Sequence, residues 1–152
     1  MGNNMLQVIE ILLVEDNEAD IRLTKEAFKE GKVCNNLYVV KDGEAAMDFL
    51  KKRGDYSDRP TPDLILLDLN LPKKDGREVL KEIKEDAGFQ KIPVVVLTSS
   101  KAEEDIARTY GDYANCYIIK PMDLDQFITI VQAIENFWFA VVKLPSCKGR
   151  NG

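Results

Sequence analysis

The sequence predicts an α/β fold in which a parallel sheet carries helices on both of its faces. Five short apolar segments alternate along the chain with five segments of helical spacing, the order that gives parallel strands joined by right-handed crossovers. Between Pro62 and Gly76, a continuous apolar run ends on Asp68, as expected for a strand buried on both faces. Polar residues also stand at the ends of several strands, where open α/β sheets place their ligands.

The predicted strands are rich in Val, Ile and Leu, and each ends at polar or turn-forming residues. They cover 8–14, 37–40, 64–68, 92–98 and 115–119. Glu10 is the only polar residue inside the first strand. Pro93 is compatible with the fourth strand because it stands near its start, where a missing N–H is tolerated.

The predicted helices follow from apolar residues that recur three or four positions apart. They cover 18–30, 44–52, 77–85, 102–111 and, after an N-cap at Asp123, a segment that runs to about 142. Gly31 is the stop signal of the first helix. The segment 102–111 is only weakly amphipathic. A chain of 152 residues is expected to form one domain over 1–152, with a core from about 7 to 142. The tail 143–152 is too short for an output domain.

The composition excludes several classes of function. The sequence contains no histidine, which removes Ser-His-Asp and Cys-His catalysis and any zinc site with histidine ligands. A net charge of −5 argues against broad binding to nucleic acid or to acidic membranes. No apolar run approaches the roughly 20 residues that span a bilayer, and the N-terminus does not resemble a signal peptide. Scattered Cys34, Cys116 and Cys147 are expected as free thiols, so a cytoplasmic location is predicted.

The strand ends carry the candidate chemistry. Glu15 and Asp16 follow the first strand, Asp68 ends the third, Thr98 the fourth, and Lys120 follows the fifth. In a parallel sheet these ends lie along one edge. Three carboxylates at one point repel one another unless their pKa values rise or a cation joins them. Oxygen ligands without histidine or cysteine favour a hard ion such as Mg²⁺, and the lysine with the hydroxyl favours a phosphate.

Several motifs in this order resemble the receiver domain of two-component response regulators. They are Val14-Glu15-Asp16-Asn17, the segment 66–72 followed by Asp75-Gly76, the segment 95–99, and Ile119-Lys120-Pro121. The resemblance covers most of the chain and implies a flavodoxin-like (βα)5 three-layer sandwich with strand order 2-1-3-4-5. It implies a signalling protein that accepts phosphate and catalyses its own phosphorylation and dephosphorylation, rather than a conventional enzyme.

Carried over residue by residue, the resemblance makes Asp68 the acceptor of a phosphoryl group from the phosphohistidine of a sensor kinase. Mg²⁺ would be bound by the carboxylates of Asp16 and Asp68, by the backbone carbonyl of Asn70, and by Glu15 through water. It also implies that Lys120 pairs with the phosphoryl oxygens.

Two further residues take roles from the same resemblance. Thr98 would donate its hydroxyl to a phosphoryl oxygen, and with Tyr117 it would form the switch that reports phosphorylation. The alternative for Tyr117 is simple packing in its strand, the commoner fate of a strand tyrosine.

A narrower resemblance points to the small stand-alone regulators that partner bacterial and cyanobacterial phytochromes. The segment 70–80 and Phe137-Trp138 resemble those proteins, which implies a phytochrome-type kinase as partner and a homodimer. Phe137, Trp138 and Ile130 are the candidate interface residues, because the last helix has more apolar surface than one core face needs. The alternative is a wide core face or a lid closed by Leu144-Pro145. The downstream partner is not predicted.

The residues alone leave three other functions open. A flavin carrier of similar architecture would bind FMN phosphate after the first strand, but the acidic loop 15–20 would repel it. An aspartyl phosphatase would need an acid where Asn70 stands. A degenerate receiver that acts only as a binding module is the third, although none of the expected site residues is missing.

Overall fold

The computed structural model describes residues 8–31, 34–98, 116–120 and 123–141. For 116–117 and 137–141 it describes the backbone alone. The strands are β1 (Ile9–Val14), β2 (Asn35–Val40), β3 (Leu64–Asp68), β4 (Val94–Thr98) and β5 (Cys116–Ile119). The described helices are α1 (Glu18–Lys29), α2 (Gly43–Leu50), α3 (Gly76–Glu85) and α4 (Leu124–Val141), with a 3₁₀ turn at Gly54–Tyr56. The helix predicted over 102–111 lies outside the described residues.

The five strands form one parallel sheet in the order β2-β1-β3-β4-β5. The predicted flavodoxin-like topology is therefore confirmed. The sheet register aligns Val14 with Leu67 and Asp68 with Leu97. All four neighbouring strand pairs run in the same direction, so the carboxyl ends of β1, β3, β4 and β5 share one edge.

Each face of the sheet packs against its own pair of helices. One core cluster includes Leu12 and Leu67 of the strands with Phe49 of α2 and Val79 of α3. The opposite cluster joins the alternate strand residues to α1 and α4; it includes Leu13, Leu66, Ile21, Phe28, Phe127 and Val131. Every residue of β3 and β4 is buried. The continuous apolar runs arise because these central strands are covered on both faces.

Three boundaries differ by two residues from the sequence-based expectation, and several others differ by one. β2 begins at Asn35, two residues early, because Asn35 and Asn36 pair in register with the start of β1. β4 begins at Val94, although the carbonyl of Pro93 still accepts the Ile65 N–H at 3.0 Å. α2 ends at Leu50 rather than 52, since Lys52 has a φ of 57° that a right-handed helix does not allow.

The expectation of free thiols is wrong at Cys34, which is disulfide-bonded. Cys34 precedes β2, and its carbonyl accepts the Ile9 N–H at 3.0 Å. Spacing along the chain does not show which cysteines folding brings within bonding distance, so this pairing was not visible in the sequence. Among the described residues, no helix is long and apolar enough to cross a membrane.

α4 uses one face for the core. Phe127 and Val131 are buried, and Ile134 packs partly buried against the same cluster. Ile130 is half-buried. The backbone of Phe137 and Trp138 continues the helix, but their side chains lie outside the described part of the structure.

Candidate functional site

Asp68 lies at the carboxyl end of β3 and is only 2% exposed. The chain directly after it is held in place, because Leu69 donates its N–H to Leu97 O at 3.3 Å and accepts the Gly76 N–H at 3.1 Å. A Cβ on Gly76 would lie 2.5 Å from the Asp68 carbonyl oxygen and 2.6 Å from the Leu69 Cα. Glycine is therefore required where α3 begins, since its start packs directly on the backbone of the acidic residue.

Both carboxylate oxygens of Asp68 are engaged. Oδ1 accepts the backbone N–H of Asn70 at 3.0 Å, and Oδ2 accepts a hydrogen bond from Lys120 Nζ at 3.1 Å. Buried carboxylates are stable only with such partners. The two bonds approach from different elements, so they fix the orientation of the side chain at the sheet edge.

Glu15 and Asp16 complete a group of three carboxylates with Asp68. One oxygen from each lies within 4.8 Å of the other two. Asp16 is exposed, whereas Glu15 is 1% exposed and accepts the Asn17 N–H through Oε2 at 3.2 Å. Such a group suits a hard divalent cation, because it offers only oxygen donors and concentrated negative charge.

Burial and the neighbouring carboxylate of Asp68 raise the pKa of Glu15. Burial, together with the hydrogen bonding and negative charge of Asp68, raises its pKa from 4.5 to about 8, although Lys120 acts in the opposite direction. In the metal-free protein, a proton on Glu15 therefore relieves part of the repulsion among the carboxylates at neutral pH.

Lys120 is the cation of the site. Its Nζ lies 2.8 Å from Asp20 Oδ2, 2.9 Å from Glu15 Oε1 and 3.1 Å from Asp68 Oδ2. The Glu15 contact lacks hydrogen-bond alignment. Burial alone would lower the pKa of Lys120, but the hydrogen bond with Asp20 and the contacts with Glu15 and Asp68 raise it above its usual value. Lys120 is thus an ammonium at physiological pH.

The end of β4 places Thr98 beside this group. Thr98 is fully buried, and its carbonyl accepts the Lys120 N–H at 2.7 Å. Tyr117 is in register with Val96 on the neighbouring strand, while its side chain lies outside the described residues.

The structure brings Glu15, Asp16, Asp68 and Lys120 together as the sequence predicted. Sequence reasoning missed Asp20, which lies in the first turn of α1 and contacts Lys120. An acid on the first turn of a helix is common because of the helix dipole, so the sequence carried no signal of this contact.

Comparison with known proteins identifies the class. Residues 11–132 match the family model described as the response regulator receiver domain. The chain belongs to this family, and it is a signalling protein of the two-component type. These matches favour the receiver over the flavin carrier considered above.

Its relatives include phytochrome regulators. Response regulator Rcp1 of Synechocystis sp. is 51% identical over 136 residues, which cover 90% of this chain and 92% of that protein. The phosphorylated cyanobacterial phytochrome response regulator RcpA is 51% identical, with a TM-score of 0.81 over 92% of this chain and all of that chain. The Mn²⁺-bound form of Rcp1 gives a TM-score of 0.78 and 50% identity over 90% of this chain and 99% of that one.

Proposed function

We propose that Asp68 accepts a phosphoryl group from the phosphohistidine of a sensor kinase. The observation that carries this proposal is the carboxylate of Asp68, buried at a strand end and held between the Asn70 N–H and the Lys120 ammonium. A buried carboxylate that lies beside other carboxylates and a lysine is a candidate reactive group, because a purely structural ion pair needs only one partner of opposite charge.

In this reaction a carboxylate oxygen of Asp68 attacks the phosphorus atom, and the phosphorus–nitrogen bond of the donor breaks as histidine leaves. Lys120 balances negative charge on the phosphoryl oxygens, and the Thr98 hydroxyl donates a hydrogen bond to one of them. Phosphoryl transfer depends mainly on alignment and charge stabilisation. The transfer and the later hydrolysis are both catalysed by the receiver itself in this proposal.

The residues fit Mg²⁺ as the cofactor. Asp16, Asp68 and the backbone carbonyl of Asn70 would hold it, and Glu15 would act through water. The proximity of the three carboxylates supports this assignment. The Mn²⁺-bound form of the similar regulator Rcp1 also supports it. When bound, the cation supplies positive charge shared by the carboxylates and the phosphoryl oxygens.

The switch in this proposal consists of Thr98 and Tyr117. Phosphorylation adds charge and strong hydrogen-bond acceptors at Asp68. Thr98 would turn toward the phosphoryl group, and Tyr117 would follow it, which changes the surface beside β5. The signal would leave this cytoplasmic regulator as a change in protein–protein binding.

A phytochrome-type histidine kinase is the proposed partner, because the similar protein RcpA is a cyanobacterial phytochrome response regulator. We also propose a homodimer that uses Ile130, Phe137 and Trp138 of α4.

Incubation with acetyl phosphate and Mg²⁺ tests the phosphoacceptor. Intact-mass measurement should find one added phosphoryl group on the parent protein and none on Asp68→Asn. Asp63→Asn is the matched control, because Asp63 stands at the other end of β3 and accepts the Glu10 N–H. It should be phosphorylated like the parent. Uptake by Asp68→Asn at the parental rate would show that the acceptor is another residue.

A further inference from the structure

Among the described residues, the carboxylate of Asp20 makes the shortest ion-pair contact with the Lys120 ammonium. The distance from Asp20 Oδ2 to Lys120 Nζ is 2.8 Å, and the two side chains are only 20% and 16% exposed. The contact joins residues 100 positions apart. A charge-assisted hydrogen bond with this little exposure is screened less than a surface pair.

The backbone of Asp20 is anchored on both sides. Its N–H donates to Asn17 Oδ1 at 3.0 Å, and its carbonyl accepts the Thr24 hydroxyl at 2.8 Å. These bonds fix the first turn of α1 without using the Asp20 side chain. The carboxylate is therefore presented to β5 by a rigid element, as a positioning group must be.

An acid in the first turn of a helix also interacts with the helix dipole, which is the simplest explanation for Asp20. Glu18 lies in the same turn and meets that description. It pairs with Lys41 on the surface, where both side chains are more than half exposed. Asp20 differs because it faces inward and meets the lysine of the site.

The three partners of Lys120 among the described residues are not equivalent. Glu15 and Asp68 belong with Asp16 to the carboxylate group that suits a cation, and Asp68 is the proposed acceptor. Asp20 stands outside that group. Its carboxylate therefore has no assigned role in holding the cation or in accepting the phosphoryl group.

We propose that Asp20 is a positioning residue that holds the Lys120 ammonium beside Asp68. Lysine has a long flexible side chain whose charge can occupy many positions. A fixed carboxylate limits those positions before the reaction, so that less ordering is required when the phosphoryl group arrives. This inference rests on the proposed function of Asp68.

The test compares initial rates of phosphorylation by acetyl phosphate at saturating Mg²⁺. Asp20→Asn keeps the shape of the side chain and removes its charge, and its rate should fall about tenfold, the lower end of what one charge-assisted hydrogen bond contributes. Asp20→Glu restores the charge and should recover at least half of the loss. Glu18→Gln removes an acid from the same helical turn and should react like the parent.

A double-mutant cycle separates positioning from a general effect on α1. In a Lys120→Ala background, Asp20→Asn should cause no further loss, because the ammonium on which Asp20 acts is missing. An equal loss with and without Lys120, or an unchanged rate in Asp20→Asn, would overturn the inference. Urea unfolding of each variant shows whether it is folded under the assay conditions.

A second measurement does not depend on phosphorylation. In protein with ¹⁵N-labelled lysine, a held Lys120 ammonium should exchange its hydrogens slowly at low temperature, with Lys120→Arg providing the assignment. Asp20→Asn should accelerate this exchange, whereas Glu18→Gln should not. Equal exchange in all three proteins would contradict the positioning role. If Asp68→Asn is still phosphorylated, the proposed function fails instead, and this exchange experiment still decides whether Asp20 holds Lys120.

Discussion

At neutral pH, we expect Mg²⁺ binding to release close to one proton from Glu15. Burial and the neighbouring Asp68 raise the Glu15 pKa to about 8, so roughly nine tenths of these carboxyls are protonated at pH 7. A cation at the carboxylate group favours the ionised form, and the proton must leave. The apparent metal affinity should therefore rise about 25-fold between about pH 6.5 and about pH 8.5.

Isothermal titration calorimetry in two buffers of different ionisation enthalpy measures this proton directly. The parent should release about 0.9 proton per Mg²⁺ at pH 7. Glu15→Gln should bind Mg²⁺ with little proton release, and its affinity should be nearly flat over the same pH range. Glu18→Gln, which changes an exposed acid, should behave like the parent. A parental release below about 0.3 proton, or equal release in Glu15→Gln, would refute the reasoning.

The same pKa shift has a defined sign for stability. Without metal, the folded protein keeps the Glu15 proton at pH values where the unfolded chain has lost it. The stability from this group is therefore fully present below its ordinary value of 4.5 and is lost as the pH rises through about 8. Urea unfolding of the metal-free parent should show this decline, and Glu15→Gln should show less of it over that interval.

Two other predictions concern packing and association. Gly76→Ala should cost about 2 kcal/mol or more in urea unfolding, because the new methyl group would overlap the backbone at Asp68. Gly88→Ala is its control, since the methyl group there would meet only a side-chain oxygen at 3.1 Å, and a loss as large as that of Gly76→Ala would contradict the argument. Replacement of Phe137 and Trp138 by Ala should convert the proposed dimer to a monomer in sedimentation velocity; an unchanged dimer would place the interface elsewhere.

The sheet was predictable because burial on both faces leaves a direct trace in the sequence. β3 and β4 are continuous apolar runs, and strands of this kind are recognised without tertiary information. The edge strand β2 was harder. Its first residues, Asn35 and Asn36, join the sheet through backbone pairing with β1, and the side chain of Asn36 bonds Glu10 at 3.2 Å. Pairing of polar residues at an edge has no hydrophobic signature.

The site was predictable as far as its residues end strands. Asp68 and Lys120 stand at strand ends, and parallel strands bring such ends to one edge. The burial of Glu15 and the contact of Asp20 with Lys120 depend instead on how elements that are far apart in the chain come together. That relation joins distant parts of the chain, and neither spacing nor residue type records it.

The net charge of the site depends on four carboxylates and one lysine together. Glu15, Asp16, Asp20 and Asp68 carry four negative charges when ionised, and Lys120 carries one positive charge, which leaves three negative charges. A proton on Glu15 reduces the excess to two. A divalent cation with Glu15 ionised reduces it to one, so the metal-free and metal-bound forms differ by exchange of a proton for a cation. Asp20 keeps Lys120 in place in both forms, so a phosphoryl group that arrives at Asp68 meets an ammonium already held beside it.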